Sequence, residues 1–138
     1  MKLTRRHTLM MAFGSAVAAM LPVPAFAALE DDIAAFTGGA AVGSEGITLI
    51  APEIAENGNT VPIEVNAPGA EAIVVFAAGN PTPAVATFNF GPLAASQSAA
   101  TRIRLAGTQD VIAIARMPDG SFVQASQEVK VTIGGCGG

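Results

Sequence analysis

The chain has 138 residues, room for one domain. It carries 11 acidic and seven basic residues, one His, one Cys, and no Trp or Tyr. An acidic chain with scattered cations and few aromatics has no electrostatic footprint for nucleic acid.

The first residues read as an export leader rather than as part of the domain. Lys2, Arg5 and Arg6 form a basic start, and an apolar run from Leu9 to Leu21 follows. "PVPAFA" then offers small residues at Ala25 and Ala27, which places cleavage after Ala27. The apolar run is too short to span a bilayer, so no retained membrane anchor is expected. "TRRHTLM" resembles the twin-arginine signal, with Thr8 where such signals usually carry Phe. That route accepts proteins that fold, and often assemble, before export, which predicts a periplasmic location.

Removing residues 1–27 sharpens the composition. Three of the seven basic residues leave and all 11 acidic ones stay, for a net charge of −7. His7 leaves too. Without an imidazole there is no Ser/His/Asp or Cys/His catalytic arrangement and no zinc site of the Cys/His kind. A carboxylate pair stays open for acid–base work, but the chain is poorly equipped to be a hydrolase by itself. No catalytic residue, metal site or cofactor is predicted within it.

"ALEDDIAAFTGG" predicts a short helix. Glu30, Asp31 and Asp32 are expected at its start, where the helix dipole favours negative charge. Ile33 and Phe36 fall on one side, and Gly38-Gly39 ends it. From Ile47 onward the pattern is strands and turns. "ITLI" is a short apolar run, and Asn57-Gly58 signals a tight turn. Val61, Ile63 and Val65 alternate with Pro62, Glu64 and Asn66, and Pro62 requires a free flank or an edge. "EAIVVFAAG" is a strand. "VATFNF" is the next, with Phe88 and Phe90 on one face. "TRIRLA" turns Ile103 and Leu105 inward and Arg102 and Arg104 outward. "DVIAIARM" and "SFVQASQEVKVTI" flank the turn at Pro118-Asp119-Gly120. Short strands at this spacing predict an all-β fold: an immunoglobulin-like β-sandwich with a short N-terminal helix. The domain is placed at 28–133, and a flexible Gly-rich arm at 134–138.

Two strands are too apolar for an isolated sandwich, whose outer faces should be polar. In "AIVVFAA" and "VIAIA" both faces are hydrophobic. One face goes to the core, and the other needs a cover, either the N-terminal helix or another polypeptide. The expectation favours a partner, since uncovered apolar area usually marks one.

The ending "VKVTIGGCGG" carries the chemistry. Nothing after Ile133 has a side chain to pack except Cys136, the only cysteine. Glycine orders at high entropic cost, so Gly134, Gly135, Gly137 and Gly138 should leave the thiol mobile and presented. A buried thiol is disfavoured by its glycine neighbours, and an intrachain disulfide lacks a second cysteine. Prenylation would need the cysteine fourth from the end. Nothing in the arm lowers the thiol pKa. Cys136 therefore reads as a covalent attachment point whose activation belongs to other proteins.

"GGCGG" resembles the tail of the SoxY family, the sulfur-carrier subunits of the periplasmic thiosulfate-oxidising system. "ITLIAPEIAENGNTVPIEV" at 47–65 is similar to that family's core segment, and the twin-arginine leader fits it. The resemblance implies that Cys136 is the carrier cysteine. It implies a c-type cytochrome that couples thiosulfate to it as a cysteine S-thiosulfonate. A dimanganese hydrolase would then release sulfate, and a molybdenum sulfane dehydrogenase, where present, would oxidise the remaining sulfur. It also implies a heterodimer with a SoxZ-like immunoglobulin-like subunit. Two other readings stand beside it. One is a thiocarboxylate carrier using Gly137-Gly138, which the export leader and the lack of a central helix oppose. The other is an exported immunoglobulin-like interaction subunit with an incidental thiol.

Overall fold

The computed structural model describes residues 25–133. Most of the leader and the whole arm, Cys136 included, lie outside the described residues. The helix α1 spans Ala25–Thr37. Nine strands follow among the described residues: β1 (Val42–Gly43), β2 (Thr48–Ile50), β3 (Ile54–Ala55), β4 (Val61–Asn66), β5 (Ala72–Ala77), β6 (Ala84–Asn89), β7 (Ser98–Ile103), β8 (Gln109–Arg116) and β9 (Phe122–Val131).

Alternation builds the smaller sheet, in the order β2-β4-β7. In β4, Val61, Ile63 and Val65 are buried while Pro62, Glu64 and Asn66 face out. β7 pairs along the whole of β4, with Val61 opposite Ile103 and Pro62 opposite Arg102. β2 covers only Glu64–Asn66 on the other side. Pro62 thus has no strand beside it there, which is the free flank its missing N–H requires.

The larger sheet runs β1-β9-β8-β5-β6, with β3 also pairing β9. Its strands are antiparallel except that β1 and β3 join β9 in parallel, β1 at Phe122–Val123 and β3 at Lys130–Val131. The two sheets pack face to face, as expected for the sandwich. Val61, Ile63 and Val65 meet Ile73, Val75, Val111, Ala113 and Val129 in the main core.

The other face of the larger sheet holds Val74, Phe76 and Ile114, also buried. Its cover is α1 rather than another polypeptide. Leu29, Ile33 and Phe36 lie at i, i+4 and i+7, one stripe of the helix, and pack there. Phe36 meets the Phe122 ring edge-on at 5.5 Å between centroids. The Arg116 guanidinium lies 5.8 Å from the centre of the Phe36 ring and 3.5 Å from Glu71.

The helix differs from expectation at its start. It begins at Ala25, because the alanines at 25, 27 and 28 are good helix formers that extend the turn backwards. Its first turn consequently carries no acidic residue, and Glu30, Asp31 and Asp32 fall further in. Its end is as read: Gly38 N–H donates to the Ala34 carbonyl at 2.7 Å, and Gly38 and Gly39 have φ of 66° and 81°. The β8–β9 turn is also as read, with Met117 N–H donating to the Ser121 carbonyl and Gly120 at φ 85°. There Asp119 accepts hydrogen bonds from the Ser121 hydroxyl and backbone, which hold its carboxyl below the usual carboxylate range.

Two buried polar side chains tie the end of the sandwich where β7 stops. Gln109 accepts from Gly79 N–H at 2.8 Å and donates to Asn80 Oδ1 at 2.9 Å and to the Gly107 carbonyl. Asn80 donates to the Arg104 carbonyl and accepts from Ala106 N–H. Every polar atom of this pair is used, so the network rigidifies residues 104–107 instead of weakening the core. Among the described residues no helix is long and apolar enough to cross a membrane.

Candidate functional site: the root of the C-terminal arm

Cys136 and its glycines, Gly134, Gly135, Gly137 and Gly138, lie outside the described residues, and the structure shows the ground from which they depart. β9 is fixed first by its own ladder. Val129 is fully buried opposite Gln109, so the strand is anchored in the main core two residues before its end. β3 then pairs with it, Ile54 opposite Lys130 and Ala55 opposite Val131. Lys130 N–H donates to the Glu53 carbonyl at 2.9 Å and Thr132 N–H to the Ala55 carbonyl at 3.1 Å. Val131 N–H donates to Thr108 Oγ1 on the opposite side.

Past the last ladder residue two more groups are held. The Thr132 hydroxyl donates to the Glu56 carbonyl at 3.2 Å. Gly58 N–H donates to the Ile133 carbonyl at 2.8 Å. Gly58 is itself buried, and its carbonyl accepts from Leu105 N–H at 2.8 Å. Leu105 is fully buried beside the Asn80 network. A continuous series of hydrogen bonds thus runs from the core through Leu105 and Gly58 to Ile133, three residues before the thiol. The strand was expected to be anchored up to Ile133. The anchor is backbone hydrogen bonding, since the Ile133 side chain is 59% exposed.

Asn57-Gly58 does make the expected tight turn, with Asn57 Oδ1 accepting from Asn59 N–H. It joins strands of different sheets, however, and so places Gly58 between them where it can reach Ile133. No side-chain signal for that contact exists in the sequence, because the groups involved are backbone.

The surroundings of the root are apolar at three points and acidic between them. Ile50, Ile54 and Ile133 are three of the four large hydrophobic side chains exposed among the described residues. Glu53 and Glu56 lie on the segment that receives Lys130 and Thr132, and Asp110 stands directly opposite Glu128 on the neighbouring strands. Arg102 and Arg104 are exposed, Arg102 on the outer face of the small sheet. Among the described residues no cluster of His, Cys, Asp or Glu could hold a metal ion. The arrangement holds the chain by backbone hydrogen bonds up to Ile133, beside an apolar rim.

Comparison with known proteins agrees with this organisation. Residues 33–136 match the family described as Sulfur oxidation protein SoxY, and the matched stretch reaches Cys136 itself. The sulfur carrier protein SoxY from Chlorobium limicola f thiosulfatophilum is 38% identical, with a TM-score of 0.67, over 78% of this chain and 98% of that one. A superoxide reductase (neelaredoxin) from Ignicoccus hospitalis is 18% identical over 68% of this chain and 84% of that one, with a TM-score of 0.56. A putative superoxide reductase from Thermotoga maritima is 20% identical over 70% and 89%, with a TM-score of 0.51. These two share the sandwich fold alone. A search of curated proteins gives no match. The profile match and the 38% identity to a solved sulfur carrier together establish that the chain belongs to the SoxY family.

Proposed function

We propose that this SoxY-family chain carries sulfur intermediates of thiosulfate oxidation covalently on Cys136, presenting them to partner enzymes in the periplasm. The observation that carries the reading is the run of the family match to Cys136, the chain's only cysteine, three residues past Ile133, whose carbonyl accepts from Gly58 N–H. The domain contributes a rigid handle and the partners contribute the catalysis.

Loading is an oxidation. The Cys136 thiol and thiosulfate join through a new S–S bond, giving a cysteine S-thiosulfonate, one proton and two electrons. The electrons pass to a c-type cytochrome partner. Water then attacks the terminal sulfonate in a dimanganese hydrolase, releasing sulfate and leaving a sulfane sulfur on Cys136. A molybdenum sulfane dehydrogenase, where present, oxidises that sulfur. Nothing in the arm activates the thiol, which suits a group meant to react only inside another protein's site. The exposed Ile50, Ile54 and Ile133 would meet the rim of such a site. A SoxZ-like subunit completes the carrier as a heterodimer, exported with it through the twin-arginine leader of residues 1–27.

Cys136→Ser tests the assignment. The variant is expected to keep its fold and its partner subunit and to lose thiosulfate-dependent reduction of the cytochrome entirely. Undiminished cytochrome reduction by this variant would reduce the thiol to an incidental feature.

A further inference from the structure

Asn57-Gly58 is the one place in the chain where asparagine precedes glycine. Such a pair is chemically labile. The backbone nitrogen after an asparagine can attack the side-chain amide, and glycine puts no side chain in the way. Here the group to be attacked is set up for it. Asn57 is exposed to water, and its Oδ1 accepts a hydrogen bond from Asn59 N–H at 3.0 Å. That bond folds the side chain back over the turn and draws electron density from its carbonyl carbon. The attacking nitrogen, by contrast, is restrained. Gly58 is buried, its N–H donates to the Ile133 carbonyl, and its own carbonyl accepts from Leu105 N–H, each at 2.8 Å. A bonded N–H gives up its proton reluctantly, and two bonds on one residue hold its peptide groups in place. Leu105 is fully buried in the core, whereas Ile133 is the last described residue of the chain.

We propose that Asn57 is a self-modification site, converted to aspartate and isoaspartate through a succinimide, and that the bond from Gly58 to Ile133 is what holds it unreacted. The step balances without an oxidant or a reductant. Gly58 N gives its proton to water and bonds to the side-chain carbonyl carbon of Asn57. The bond from that carbon to the amide nitrogen breaks, and ammonia leaves with the proton returned to it. Water then opens the ring at either carbonyl. The net change is one water taken up and one ammonia released.

Mooring and modification oppose each other. While Ile133 stays bonded, Gly58 N is unavailable. Once isoaspartate forms, the main chain before Gly58 runs through the former side chain and gains a carbon. Gly58 can then no longer meet Ile133 and Leu105 together in the present geometry. The Glu56 carbonyl, which receives the Thr132 hydroxyl, lies one residue before the altered position and shifts with it. The modification therefore loosens the end of β9, and water does not reverse it. None of this depends on what Cys136 carries. The same molecule holds a reference site. Asp119-Gly120 can form the same succinimide, but Gly120 N–H donates to the Met117 carbonyl at 3.0 Å, within its own turn and without Ile133.

The test ages the purified protein at neutral pH and measures isoaspartate at positions 57 and 119 by peptide mapping, beside the free peptide Ala-Glu-Asn-Gly-Asn-Thr. Two variants loosen the end of β9. Truncation after Thr132 removes the Ile133 carbonyl, and Thr132→Pro, at an exposed position, removes the donors to Ala55 and Glu56. Asn57 is expected to react about tenfold more slowly in the unaltered protein than in the truncated one, the factor for a bond open about one tenth of the time. Thr132→Pro should fall between them, and Asp119 should change at one rate in all three. A peptide-like rate at Asn57 in the unaltered protein overturns the proposal, as does a slow rate that neither variant raises. Acceleration at both Asn57 and Asp119 in both variants assigns the protection to the fold as a whole and overturns it too.

Discussion

The two sheets present outer faces of opposite character. On the larger sheet Val74, Phe76 and Ile114 point away from the main core and are still buried, because α1 lies over them. On the smaller sheet Ile50, Pro62, Glu64, Ala100 and Arg102 are exposed, with no element over them among the described residues. The burial patterns state the contrast directly: every residue of β5 is buried, whereas β4 alternates strictly. The one helix among the described residues is therefore committed to covering the larger sheet.

Breaking that division should have effects of very different size. The largest is functional: Cys136→Ser should remove thiosulfate-dependent electron transfer altogether while leaving the denaturation midpoint where it was. The largest effect on stability should come from the covered face. Phe76→Ala removes the largest fully buried side chain, and chemical denaturation should show a loss of about 3–5 kcal/mol. A much smaller loss would mean that α1 does not pack over this face in solution. The smallest effect is expected on the open face, where Arg102→Ala should change stability by no more than about 0.5 kcal/mol. A large loss there would show that Arg102 supports the fold, and the distinction between the two faces would fail.

Much of this could be read from residue pattern. Strict alternation in "VPIEV" and "TRIRL" gave the faces of β4 and β7, and Pro62 announced its own free flank. The two-sided strands β5 and β8 announced that something must cover them, but not what. A helix stripe and a partner surface make the same demand on a strand, and only the packing of Leu29, Ile33 and Phe36 decides between them. The helix start was misplaced because alanine-rich sequence carries no boundary signal of its own. Cys136 stood out by elimination, since its neighbours have no side chains. The mooring of the arm left no trace in the sequence: Gly58 and Ile133 meet through backbone groups separated by most of the domain.

The central claim is that Cys136 bears the sulfur. Intact mass and peptide mapping of the protein purified from thiosulfate-supplied cells test it most directly. Reducible sulfur-containing adducts confined to Cys136 are the expected result. A free, unmodified thiol in every molecule from such cells would contradict it.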